Sequence, residues 1–68
     1  MSNSDITRLI RKLRENLQLS QRQFAKLVEK PHSTIARIEN GSMSPTISLL
    51  QEITSSIGKE LKITFIDK

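Results

Sequence analysis

The sequence contains no cysteine, so neither a disulfide nor a thiolate-held metal can stabilise it. It has one histidine, His32, with no Ser/His/Asp set or metal-ligand cluster beside it. An enzyme is therefore not expected, and no metal or other cofactor is implied. The two glycines, Gly41 and Gly58, stand alone, which excludes a glycine-rich phosphate loop. No apolar run approaches the length of a membrane span or a signal h-region. A soluble, cytoplasmic protein without a membrane partner is the expectation. At 68 residues the chain suits one domain, near the lower limit for a self-sufficient core. Small chains without staples often gain stability by oligomerising.

Positive charge is what the composition does offer. Lys and Arg number 11 against 7 Asp and Glu, giving a net charge of +4 and a pI near 10.0. That balance suits a polyanionic partner, although ordinary solubility accounts for it equally well.

Apolar residues recur at helical spacing through most of the chain. Ile6, Leu9, Ile10, Leu13 and Leu17 predict a first helix from Asp5 to about Asn16. Ser4 fits its cap, and Asp5 suits the helix dipole. Ser20 to Gln23 then has the form of a capping box opening a second helix, with Phe24, Leu27 and Val28 as its buried side. Leu19 and Phe24 are spaced as a hydrophobic staple. Pro31 fits the first position of a third helix that runs to Asn40 and stops at a left-handed Gly41. Ser44 and Pro45 repeat the start signal for a fourth helix, carrying Ile47, Leu50, Ile53 and Ile57 and ended by Gly58. The period then changes to two. Leu61, Ile63 and Phe65 fall on one side and Lys62 and Thr64 on the other, which predicts a strand.

The third helix poses the functional question. Ile35 and Ile38 suit a core, whereas Ser33, Ala36, Arg37 and Asn40 fall at i, i+3, i+4 and i+7 on a shallow polar stripe. Two short helices joined by a tight turn, the second with such a stripe, make a helix-turn-helix pattern. The letters from Leu19 to Gly41 are more specific. Leu19-Ser20-Gln21, Phe24-Ala25, Ser33-Thr34-Ile35 and Arg37-Ile38-Glu39-Asn40-Gly41 closely resemble the XRE family of phage repressors and Cro. The downstream run "SPTISLLQEI" and Gly58 match as well, so the resemblance covers most of the chain. It departs at Glu29, where the family usually has glycine in the turn before the third helix.

The resemblance implies a mainly α fold, a lambda-repressor-like bundle of four or five helices, and double-stranded DNA as partner. The polar stripe would then face the major groove. His32, Ser33, Ala36 and Arg37 would read bases, with Arg37 suited to guanine O6 and N7 and Ala36 to a thymine methyl. Gln21 matches a phosphate-contacting position of the family. Asn40, Ser42, Ser44 and Thr46 surround the loop that would meet the backbone on the other side, fixing register without reading sequence. Arg14 and Glu39 resemble an internal ion pair that ties the first helix to the third.

One strand cannot be stable alone, so residues 61–66 need a partner. The simplest partner is their own copy across a twofold axis. The expectation is a helix-turn-helix domain over residues 1–58 and a dimerising strand over 59–68, with Leu61, Ile63 and Phe65 at the dimer contact. A homodimer would read an inverted-repeat operator. This arrangement is similar to antitoxins of the HipB type, and the wording around "STIARIENG" looks like those of the HigA type. Three roles follow from the resemblance: an operon-autoregulating repressor serving as the antitoxin of a toxin protein, a module that mainly holds a toxin, and a phage or plasmid regulator without one.

Overall fold

The computed structural model describes residues 3–62. Within them lie four helices, α1 (Asn3–Asn16), α2 (Gln21–Leu27), α3 (His32–Glu39) and α4 (Ile47–Ser56). The described residues include no strand. Helix α3 is central, packing on both α1 and α2. One apolar cluster joins all four: Ile10, Phe24, Ala25, Val28, Ile35, Ile38, Leu50 and Ile53 are buried. Leu19 and Leu61 are among the half-buried residues that pack against it.

Local signals explain most of the boundaries. The Ser20 hydroxyl accepts from the Gln23 N–H at 3.1 Å, and the Gln23 side chain accepts from the Ser20 N–H at 2.8 Å. That reciprocal pair satisfies two donors which the first turn of α2 would otherwise leave orphaned. Three start signals fall elsewhere than expected. Ser4 lies inside α1, although Asp5 keeps its place in the first turn. Pro31 occupies the cap position, with φ −59° and ψ 143°, and His32 is the first helical residue. The cap of α4 is Thr46 rather than Ser44, its hydroxyl accepting from the Leu49 N–H at 3.0 Å. Pro45 therefore precedes that helix.

All four helices end by one device. The residue two beyond the last helical position has positive φ, and paired N–H bonds close the end: Gln18→Glu15 with Leu19→Arg14, Glu29→Lys26 with Lys30→Ala25, Gly41→Ile38 with Ser42→Arg37, and Gly58→Ser55 with Lys59→Thr54. This is the Schellman closure, which favours glycine. Gly41 and Gly58 supply it at φ 80° and 70°, but Gln18 and Glu29 hold the same conformation at φ 58° and 57°. Glu29 thus keeps the left-handed turn despite lacking glycine. The side chain there costs about 1–2 kcal/mol in left-handed strain, offset by the roughly 0.5–1 kcal/mol that glycine loses in folding entropy. Glu29→Gly should stabilise the domain by about 0.5–1 kcal/mol. Chemical denaturation would check this, and an unchanged or lowered midpoint would refute it.

Three apolar residues that periodicity counts inward are exposed: Leu17 (42%), Leu27 (45%) and Ile47 (55%). Leu17 follows the end of α1 and sits in its closing turn. Leu27 lies at the edge of an arc set by Phe24, Ala25 and Val28, because successive residues turn about 100°. Ile47 opens α4, while further along that helix the buried Thr54 takes an inward slot and donates to the Gln51 carbonyl at 3.1 Å. Of the strand residues, Ile63 and Phe65 lie outside the described residues. Leu61 and Lys62 form no regular structure, and Leu61 packs on the core of its own domain.

Candidate nucleic-acid interface

Helix α3 has two faces. Ile35 and Ile38 are fully buried, while Ser33 and Arg37, followed by Asn40 at the cap, are exposed; His32 and Ala36 are half-buried between them. The polar stripe is therefore a real surface, presented by a helix whose other side is locked in the core.

What fixes α3 is a half-buried polar chain centred on the buried Glu39. Glu39 is only 1% exposed, yet it carries a carboxylate. Arg14, from α1, grips it with two bonds: Nε donates to Oε2 at 2.8 Å and Nη2 to Oε1 at 2.9 Å. The remaining Arg14 nitrogen, Nη1, donates to the Leu19 carbonyl at 2.9 Å, just before α2. One guanidinium thus joins α1, the entry to α2, and α3. Gln21 adds its Nε2, donating to Glu39 Oε1 at 3.4 Å, and its own Oε1 lies 3.3 Å from His32 Nε2. Because an ionised carboxylate only accepts, the Gln21 amide must turn its NH₂ to Glu39 and its carbonyl to His32. The first residue of α3 is in this way connected to its last.

Electrostatics follow the same geometry. Burial alone would raise the Glu39 carboxyl, but hydrogen bonds from Arg14 and Gln21, with the charges of Arg14 and Arg11, hold it below the ordinary range. Its hydrogen bond to Arg14 raises that guanidinium, against the pull of burial, with help from the charges of Glu39 and Glu15.

Sequence reasoning missed two α1 residues that act on the same end of α3. The Thr7 hydroxyl donates to the Ile38 carbonyl at 2.8 Å, and Arg11 Nη2 donates to the Glu39 carbonyl at 2.8 Å. Thr7, Arg11 and Arg14 fall at i, i+4 and i+7, so they form one stripe of α1 directed at one helix end. That spacing was visible, but nothing in the letters says which neighbour the stripe meets.

The loop after α3 is shaped by its own polar groups. Asn40 Oδ1 accepts from the Ser42 N–H at 2.9 Å, and the Ser42 hydroxyl donates to the Arg37 carbonyl at 3.5 Å. Ser42 is therefore turned onto its own loop, whereas Asn40 keeps its NH₂ as a donor. Thr46 accepts at its cap and retains its hydroxyl proton to donate. Ser44 is exposed. Lys30 forms an ion pair with Glu52 on α4, and Lys26 is exposed.

A two-helix unit joined by a tight turn, with an exposed polar stripe on its second helix, is a helix-turn-helix arrangement. A family model described as helix-turn-helix matches residues 10–63, so the chain belongs to the helix-turn-helix family of XRE/Cro type and is a DNA-binding regulator. No curated protein and no solved structure gives a match. No helix of the described residues is long and apolar enough to cross a membrane.

Proposed function

We propose that this protein is a sequence-specific transcriptional repressor that binds an inverted-repeat operator as a homodimer. The observation that carries the reading is the exposed stripe of α3, set on a helix that Arg14, Glu39 and Gln21 hold fixed. A reading head must be rigid, because ordering it on binding would cost affinity.

His32, Ser33, Ala36 and Arg37 are the base-reading residues. Arg37 has the reach and the forked donors to take guanine O6 and N7 together. Gln21, Asn40, Ser44 and Thr46 supply donors to phosphates on either side of the groove, and Ser42 shapes the loop that carries Asn40. Arg37→Ala should weaken operator binding by about 1–3 kcal/mol and relax preference at one base position. Selection from a random duplex library, run with both proteins, reads the outcome. Recovery of the same site at the same affinity would remove Arg37 from the reading set.

The regulator fits best as the antitoxin of a toxin–antitoxin pair that represses its own operon. Support comes from the wording around "STIARIENG", which resembles HigA-type antitoxins, and from the apolar, β-prone C-terminal sequence, which resembles the strand-ended arrangement of HipB-type antitoxins. A neighbouring reading frame encoding a kinase-like or ribonuclease-like protein, and a stable complex between the two products, is the expected finding. A regulator with no such neighbour would instead be of the phage or plasmid kind.

A further inference from the structure

Arg11 stands out because it is neither buried nor free to wander. Its side chain is half exposed, yet Nη2 is fixed on the Glu39 carbonyl at 2.8 Å and Nε lies 3.6 Å from Glu39 Oε1. Glu39 is already satisfied by Arg14, which meets both carboxylate oxygens and is only 18% exposed. Two guanidiniums therefore share a single buried carboxylate. The pair nearer the core balances in charge, and the outer cation, Arg11, is left in excess.

The place of that excess matters. The Glu39 carbonyl belongs to the peptide that leads into Asn40, so the Arg11 head sits at the start of the loop carrying Asn40 and Ser42. On its other flank, Arg14 reaches the Leu19 carbonyl and Gln21 reaches the same Glu39 carboxylate. Arg11 thus shares Glu39 with Gln21 and stands at the start of the loop that carries Asn40, both assigned to the DNA backbone. A guanidinium has five N–H donors, and the Glu39 carbonyl takes only one by hydrogen bond. An oriented, half-exposed guanidinium that shares its one carboxylate with Arg14 and has donors in hand matches a phosphate oxygen pair.

We infer that Arg11 is a DNA-backbone contact, pre-oriented by the Glu39 carbonyl at the end of α3 and closing on a phosphate beside the groove. The inference rests on the DNA-binding reading above and adds to it a residue of α1. The anchoring also explains why a long side chain would serve here at low entropic cost: its rotamer is already chosen before DNA arrives.

The test is the salt dependence of binding, because each phosphate neutralised contributes about 0.9 to the slope of log K against log salt. Wild type, Arg11→Gln, Arg11→Met and Arg11→Lys are titrated with a selected operator duplex and with a random-sequence duplex over a range of salt. Circular dichroism establishes that each is folded, and Arg11→Met keeps the aliphatic stem should Arg11→Gln unfold. The folded neutral variants should lose about one from the slope on both duplexes while selecting the same site. Arg11→Lys should keep the wild-type slope, since it keeps the charge. A neutral variant that is folded, binds the operator and retains the full slope would overturn the contact and leave Arg11 a structural brace of α3. A wild type that binds neither duplex would instead overturn the DNA reading itself, and the two failures are told apart by that control.

Discussion

Glu39→Ala should leave the domain largely unfolded, with a loss of about 3–5 kcal/mol. The reason is that the substitution removes the one anion of the half-buried chain. Arg14, only 18% exposed, would keep its charge with no carboxylate to meet it, and Arg11 would lie beside it with the same sign. Gln21 would lose its Glu39 acceptor and with it the constraint on His32. A chain of this length has about 3–10 kcal/mol of total stability, so the loss takes most of it. Thermal unfolding should drop by at least about 12 °C. A shift of only a few degrees would mean that the pair is worth no more than an exposed one.

The same pair sets an acid limit. The Glu39 carboxyl is held below its ordinary range in the folded state, so in acid the unfolded chain binds the extra proton first. Its contribution is therefore complete at neutral pH, begins to fall near the ordinary glutamate value of about 4.3, and is lost as pH drops through the folded value. Glu39→Gln should flatten that part of the stability profile, which denaturant midpoints measured against pH would reveal.

The amino-acid letters carried the helices and some of their ends, and the limits of that reading have physical causes. Ser20 and Gln23 could be read because a capping box is a local device, complete within four residues. Gly41 and Gly58 could be read because only glycine adopts left-handed geometry without strain. Gln18 and Glu29 perform the same closure under strain, so they carry no signature. The start of α4 was misplaced because Ser44-Pro45 and Thr46 are both sound caps locally, and which one forms depends on packing. Leu27 and Ile47 show the other weakness of periodicity, since a short helix has few inward positions and other residues had filled them. Glu39 marks the boundary most clearly. A glutamate four residues after Ile35 reads as surface, and only the family resemblance paired it with Arg14. The contacts of Thr7 and Arg11 with backbone carbonyls leave no trace in any pattern of side-chain type.

Removing residues 63–68 should cost the operator about 10²–10⁴-fold in affinity while leaving the helical domain folded, if that segment joins two copies. The cut belongs after Lys62 rather than before Lys59. Lys59 closes α4 through its N–H to the Thr54 carbonyl at 2.8 Å, and Leu61 packs on the core, so a shorter chain would confound folding with association. Ile63, Phe65 and Ile66 make the removed piece apolar and β-prone, with Thr64 between them. Pairing with a second copy would satisfy the backbone of both segments and place two α3 helices across a twofold axis. Each would then meet a half-site about 10 base pairs from the other, or a multiple of one turn. Binding at the first half-site raises the effective concentration at the second, and truncation abolishes that gain without touching a single DNA contact. The truncated protein should therefore sediment as a monomer, melt close to wild type, and retain the base preference of one half-site. Should it still dimerise and bind the full operator normally, the segment is no dimer strand, and its apolar edge would be free to meet a different protein.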